Sequence, residues 1–188
     1  MNNALSIWAA HWVKPYYRFG HLLIVETISK EHEAVTDLIT RLALRGPFHL
    51  IAGDEWLPDR DTLYRSVRRF TIEVDEILNH PILMRPMTCL QLLDLLTEVD
   101  MQNNPTLILD FLHHFYNADV ELSLRDRVLE HCCQFTKRLS LSNSVVILVP
   151  RLSTDEYKRF FPLLAAIADE IIDARKNLAV KNFQTSLF

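Results

Sequence analysis

The stretch SVVILVP, residues 144–150, is the clearest strand candidate in the sequence. It is apolar almost throughout, without the alternation typical of a strand exposed on one face. Runs of similar character are HLLIVET (21–27), FHLIAG (48–53) and TLILDF (106–111), and PILMRPM (81–87) is a weaker candidate because of its prolines. Such runs predict strands buried on both faces of a sheet.

Helical patterns separate these runs and alternate with them along the chain. The predicted helices are 29–45, stopped by Gly46 and Pro47, about 61–78, 88 to about 102, 123 to about 141, and one from 153 or 154 that Pro162 disturbs or ends. AIADEIIDA (165–173) is either the continuation of the last helix or a final strand. Alternation of this kind predicts an α/β fold, a mostly parallel sheet with helices on both faces.

The size and composition of the chain favour one ordinary globular domain. We expect an N-terminal aromatic segment at 1–20, an α/β domain at 21–175 and a C-terminal tail at 176–188. The net charge of −4 argues against a nucleic-acid interface across the whole chain, but it is compatible with a local basic patch.

Three cysteines, two of them adjacent, do not form a disulfide framework and suit a reducing compartment. The N-terminus lacks the features of a convincing signal peptide. No run approaches the roughly 18 apolar residues of a membrane helix. We therefore expect a soluble, cytoplasmic protein without a membrane partner.

A candidate phosphate-binding loop reads IAGDEWLPDRDTL (51–63). A working loop has the pattern G-x-x-x-x-G-K-[ST], whose glycines let backbone N–H groups surround the phosphates while Lys adds positive charge. Counted from Gly53, the second glycine is Pro58 and the lysine is Asp59. Two inserted residues recover the hydroxyl as Thr62 but again place an aspartate at the lysine position. The stretch therefore favours a strand-to-helix turn over a triphosphatase loop.

The chain continues from this loop into a helix, then ILMRPMTCLQLLDLLTEV (82–99), PTLILDFL (105–112), a long helix and SVVILVPRL (144–152). This order resembles the RecA/KaiC/Rad-recombinase superfamily, above all its divergent recombinase paralogues, over about residues 45 to 175. AIADEIIDA is similar to a late strand of those ATPases, which favours a strand there. The resemblance implies a RecA-like fold.

The resemblance also implies roles for some residues. In that family the apolar strand ending in Asp carries the carboxylate linked to Mg²⁺, which maps onto Asp110. A catalytic Glu normally lies near the end of the preceding strand, where RPMTC (85–89) offers no carboxylate. This pattern argues against ATP hydrolysis. The residues left to bind a nucleotide such as ATP are Gly53, Arg60, Thr62 and Asp110.

A metal site is an alternative at the same strand end. Asp110, His113 and His114 are legitimate ligands for zinc or iron. Adjacent histidines usually cannot both point at one site, so Asp110 and His113 are the candidate ligands. The alternative is a polar loop at the carboxyl end of a strand. His131, Cys132 and Cys133 lie within one helix, where core packing is favoured over nucleophilic catalysis.

Two segments and one helix are candidate interaction sites. Trp8 and Trp12 share a helical face that docks on a partner or packs on its own domain. The tail QTSLF resembles peptides by which bacterial replication and repair proteins dock on the sliding clamp, with Gln184, Leu187 and Phe188 as the contacts. Four arginines form either a DNA or phosphate patch or a solvated helix face; they are Arg60, Arg65, Arg68 and Arg69.

These observations predict a non-catalytic RecA-like accessory protein in DNA recombination, repair or replication. It would act through a protein partner, with a RecA-like protein or a sliding clamp as candidates, and assembly with itself or another chain is compatible with the sequence. No cofactor is expected. The alternatives are a nucleotide-binding regulator without turnover and, third, a metal-dependent enzyme that uses Asp110, His113 and His114.

Overall fold

The computed structural model describes residues 20–27, 32–98, 104–116 and 119–174. These residues form one six-stranded sheet whose strand pairings are all parallel. The strands are β1 His21–Thr27, β2 Phe48–Ala52, β3 Pro81–Met84, β4 Thr106–Leu109, β5 Ser144–Pro150 and β6 Glu170–Asp173. Their order across the sheet is β3-β2-β4-β5-β1-β6. The predicted α/β class with a parallel sheet is confirmed.

Six α-helices connect the strands. They are α1 His32–Ala43, α2 Arg60–Val67, α3 Val74–Leu78, α4 Cys89–Glu98, α5 Leu122–Ser142 and α6 Asp155–Ala165. Short 3₁₀ helices, Asp54–Trp56 and Phe111–Phe115, follow β2 and β4. Among the described residues, no helix is both long enough and apolar enough to cross a bilayer.

The sheet separates two hydrophobic cores. Leu23, Leu50 and Leu107 point to the face covered by α1, α2 and α3, here called the α1 face. Ile24 and Ile108 point to the face covered by α4, α5 and α6, here called the α5 face. Since successive side chains of a strand point to opposite faces, central strands covered on both sides must be apolar at every position. This requirement explains the continuous apolar runs in the sequence.

Three neighbouring pairs of strands, β3/β2, β2/β4 and β5/β1, lead to opposite faces of the sheet. After β1 and β2 the chain moves toward the β3 edge over the α1 face, whereas after β3, β4 and β5 it moves the other way over the α5 face. Only at β2/β4 do the two connections also run away from each other along the sheet, so these strands diverge at their carboxyl ends. Ligands of open α/β sheets bind in crevices of this kind.

Two predicted boundaries differ from the structure. The helix expected at 61–78 is two helices, because the chain turns after Val67, where Phe70 N–H donates to Val67 O, and restarts at Glu73, whose N–H donates to Thr71 Oγ1. The third strand ends at Met84 rather than residue 87. For residues 165–173 the strand alternative is confirmed, because the helix passes Pro162 but ends at Ala165, and β6 begins at Glu170.

Candidate functional site

The carboxyl ends of β2 and β4 bring two of the predicted site residues together. Ala52 and Leu109 are partners in the parallel register, so Gly53 and Asp110 follow on adjacent strands. The strand ends diverge here, and the polar groups of both loops face the same crevice region of the sheet edge. The predicted pairing of Gly53 with Asp110 thus has a structural basis.

Asp110 is held by contacts within the protein. Its Oδ2 accepts a hydrogen bond of 2.8 Å from Nε1 of Trp56, and its N–H donates to Leu148 O at 2.9 Å. The side chain is buried, and the backbone has a φ of 54°, in the left-handed region that Asp tolerates better than most residues. Trp56 is itself 2% exposed. The carboxylate therefore fixes the loop after β2 to the end of β4.

Asp59 occupies the helix end at which a phosphate would have to bind. Its Oδ1 accepts from Thr62 N–H at 2.8 Å, and its Oδ2 accepts from Thr62 Oγ1 at 2.7 Å. The hydrogen bonds from the Thr62 side chain and backbone hold the pKa of Asp59 below its usual range. A negative charge thus caps α2, where the helix dipole would otherwise favour an anion. The Thr62 hydroxyl is used by the same cap.

The four predicted arginines lie on α2 and the turn after it, and all four are exposed. Arg65 donates to Asp61 O at 3.2 Å and to Thr62 Oγ1 at 3.2 Å, and Arg68 donates to the Tyr64 hydroxyl at 3.3 Å. For Arg60 and Arg69 the described residues provide no ion-pair partner. The helix therefore presents a group of solvated guanidinium groups.

The two adjacent histidines have different surroundings. His113 is exposed and places Nδ1 at 3.9 Å from Asp110 Oδ2, whereas His114 is buried with both ring nitrogens lacking a hydrogen-bond partner. Burial, and to a lesser degree His113, lowers the pKa of His114 to about 4. Within the described residues no cluster of three or more His, Cys, Asp or Glu side chains is arranged to hold a metal ion. Of the predicted ligands, Asp110 and His113 lie 3.9 Å apart, between Oδ2 and Nδ1.

A second polar cluster, at the ends of β1, β5 and β6, was missed by sequence reasoning. The Tyr157 hydroxyl donates to Glu26 Oε1, and the Arg151 guanidinium lies 4.0 Å from Glu26 Oε1 and 3.6 Å from Asp173 Oδ2. Burial and the bond to Glu26 raise the pKa of Tyr157. Glu26 in the apolar run HLLIVET was the available signal, because a carboxylate at a buried strand position needs a partner.

Tyr116 lies between the two polar clusters. Burial raises the pKa of its hydroxyl, and the negative charges of Asp110 and Glu156 raise it further. Its ring stacks on Phe160 of α6 with centroids 6.4 Å apart. The carboxyl edge from β4 to β6 therefore carries two buried phenols and several carboxylates, with Arg151 and Lys158 beside Tyr157.

The strand beside β4 is β2 rather than β3. A carboxylate on the strand beside Asp110 would therefore follow β2, whereas RPMTC (85–89) follows β3 at the edge of the sheet. Glu55 follows β2 and is exposed. It supplies a carboxylate near the right strand end, but the loop still carries Asp59 where a phosphate site needs a cation.

The cysteines behave as core residues, as predicted, but the core position predicted for His131 is wrong, because its side chain is exposed on α5. Cys132 and Cys133 are 0% and 4% exposed within α5. Burial is the main cause that raises the pKa of both thiols, that of Cys133 to about 12. A thiol with a raised pKa is a weak nucleophile. Core packing therefore accounts for both positions.

Five predicted partner-binding residues, Trp8, Trp12, Gln184, Leu187 and Phe188, lie outside the described residues. Comparison of the chain with models of known protein families gives no match, and comparison with curated proteins gives none either.

Proposed function

We propose that this chain is a non-catalytic RecA-like accessory protein in DNA recombination, repair or replication that acts through protein partners. The observation that carries the proposal is the Asp59 cap on α2. Catalysis of phosphoryl transfer depends on positive charge and backbone donors aimed at the phosphates. In the loop after β2 a carboxylate takes both the N–H and the hydroxyl of Thr62, so it repels the group that a nucleotidase must bind.

The Trp56–Asp110 bond supports the same proposal. A carboxylate that coordinates Mg²⁺ keeps its oxygens available to the ion or its water shell. Here Asp110 Oδ2 accepts a buried indole N–H at 2.8 Å instead. Removing that acceptor would leave the indole N–H buried without a partner, which costs about 1–3 kcal/mol. Asp110 thus has a structural role that accounts for its identity without a metal.

The test is a pair of binding titrations with the full chain, one against an immobilised sliding clamp and one against a RecA-type recombinase. Each is repeated with the double variant Leu187→Ala, Phe188→Ala, and phosphate release from ATP is measured in parallel. Saturable binding to either protein without phosphate release supports the proposal. ATP turnover would overturn it, and so would the absence of saturable binding to either protein.

A nucleotide-binding regulator without turnover is the second candidate. The adjacency of Gly53 and Asp110, with Glu55 nearby in the chain, favours it. Such a protein would gain thermal stability with Mg·ATP, because a ligand that binds only the folded state shifts the unfolding equilibrium. Unchanged melting at millimolar Mg·ATP would remove this candidate.

A further inference from the structure

Exposed apolar side chains occur on β3 and in the chain segments that precede and follow it. Six of them lie between residues 70 and 90, and Ile72 and Met87 are 96% and 76% exposed. We call this set the β3 edge surface; its members are Phe70, Ile72, Ile82, Leu83, Met87 and Leu90. Apolar surface concentrated in one region of a protein marks an interaction site more often than chance exposure.

The two side chains of β3 itself point to opposite faces of the sheet. Leu83 is the register partner of Leu50 and points to the α1 face, whereas Ile82 is the partner of His49 and points to the α5 face with Met84. They are 41% and 44% exposed. Leu83 and Ile82 are thus only partly covered, and within the described residues β3 is an edge strand whose outer side pairs with no other strand.

The backbone of β3 also has polar groups that face outward. Phe48 N–H donates to His80 O, and in a parallel ladder this fixes the N–H groups of Ile82 and Met84 toward β2. Leu83 therefore directs both its N–H and its C=O away from the sheet. Pro81 has no N–H to offer. Leu83 is accordingly the residue around which a further strand can pair.

Charged side chains beside this edge have opposite signs on two neighbouring helices. Arg65, Arg68 and Arg69 belong to α2 and the turn after it, and Glu73, Asp75 and Glu76 begin α3. All six are exposed, and in the described chain none of them lies within ion-pair distance of an opposite charge. A surface with unpaired charges of both signs is complementary to a second copy of itself.

We propose that β3 pairs antiparallel with β3 of a second copy, about a two-fold axis at Leu83, so that one sheet continues through both copies. The two Leu83 residues then exchange their N–H and C=O groups and meet on the α1 face. Ile82 faces Met84 of the second copy on the α5 face. The axis stands perpendicular to the sheet, so it brings the α2–α3 regions of the two copies together on the α1 face. Isologous contacts require this self-complementarity.

The first test is disulfide cross-linking of Leu83→Cys. A hydrogen-bonded antiparallel pair has a Cα separation of about 5.5 Å, which lies within the range of disulfides. Oxidation with copper phenanthroline should therefore give a covalent dimer at low micromolar protein. Leu141→Cys, at the exposed end of α5, is the matched control and should stay monomeric on denaturing gels. The native cysteines do not compete, because all three are buried.

The second test is sedimentation equilibrium of the unsubstituted full chain and of its Leu83→Lys variant. Like charges opposite each other destabilise a strand pair, so Leu83→Lys should raise the dimer dissociation constant by about tenfold or more. Leu141→Lys should leave it unchanged. Leu83 is partly exposed, so the fold should tolerate lysine, and circular dichroism checks this.

A monomeric chain at about 100 µM would overturn the proposal and assign the β3 edge surface to another protein. A dimer that tolerates Leu83→Lys, or equal cross-linking of Leu141→Cys, would overturn it as well, because the interface would then lie elsewhere. The outcome does not depend on nucleotide binding, so it is separable from the tests of the proposed function.

Discussion

Asp110 has a different role depending on whether the chain binds a nucleotide with Mg²⁺ or acts only through protein partners. As a magnesium ligand it would matter for binding, whereas the contact with Trp56 makes it matter for folding. Asp110→Ala removes the acceptor of a buried indole N–H and places an alanine at a φ of 54°. We expect a loss of about 2–4 kcal/mol in the free energy of unfolding, measured by urea denaturation.

Asp110→Asn is the matched variant. Asn keeps an acceptor oxygen and tolerates the left-handed conformation, so it should lose about 1 kcal/mol or less. If Asn proved as destabilising as Ala, the charge rather than the hydrogen bond would be the important property of this position, and the structural role proposed for Asp110 would be wrong.

His114 gives the fold a dependence on pH. Burial, with a smaller effect of His113, lowers its pKa from 6.5 to about 4, so the unfolded chain binds a proton that the folded chain does not between these values. Stability is therefore complete above about pH 6.5 and falls as the pH decreases toward 4, by on the order of 3 kcal/mol. Chemical denaturation at a series of pH values measures this loss.

The comparison variant for that series is His114→Leu, which has no group to protonate. It should flatten the stability profile between pH 6.5 and 4, and His131→Gln, at an exposed position of α5, should not. An unchanged profile in His114→Leu would show that another group controls the acid sensitivity.

At the scale of elements, β6 is attached mainly by polar contacts. Asp169, just before it, accepts from Leu22 N–H at 2.8 Å and from Lys137 Nζ at 2.6 Å. The bond from Lys137 is the main cause that holds the pKa of Asp169 below its usual range, so the contact is lost as the pH falls through that lowered pKa. The strand has only four residues, and Ile171 is 44% exposed.

We therefore expect Asp169→Ala to raise amide hydrogen exchange in β6 by about fivefold, equivalent to ~1 kcal/mol of local stability, without changing β5. Asp155→Ala removes an ion pair between exposed side chains of α6 and is the control. Equal protection of β6 in both variants would mean that the β1 ladder alone holds the strand.

The central strands could be predicted from the sequence, and the peripheral elements only in part. SVVILVP and TLIL are apolar at nearly every position because the sheet buries both of their faces. Apolar runs of this length are typical of strands and are shorter than most helices. The break between α2 and α3 was missed because no Gly or Pro marks it and a local turn after Val67 ends the helix. The division of 165–173 into helix and strand depends on pairing with β1, which local pattern does not encode.

At the scale of the whole molecule, strand order was the information that sequence reasoning lacked. Asp110 was found because a carboxylate ends an apolar run. Its hydrogen-bond partner Trp56 was not, because β4 lies beside β2 and β5 although β3 precedes it in the chain. The same crossing of the chain creates the second polar cluster, in which Glu26 and Tyr157 are 131 residues apart. Contacts of this separation are set by topology, and the sequence pattern predicts only the class of fold.

Calorimetric titration of the full chain with Mg·ATP, with ADP as a control, tests the central claim that the loop after β2 does not bind the phosphates of a nucleotide. The negative charge and occupied donors at Asp59 and Thr62 predict no saturable heat at millimolar nucleotide. Saturable binding of Mg·ATP at micromolar concentration would contradict the claim and favour the nucleotide-binding regulator.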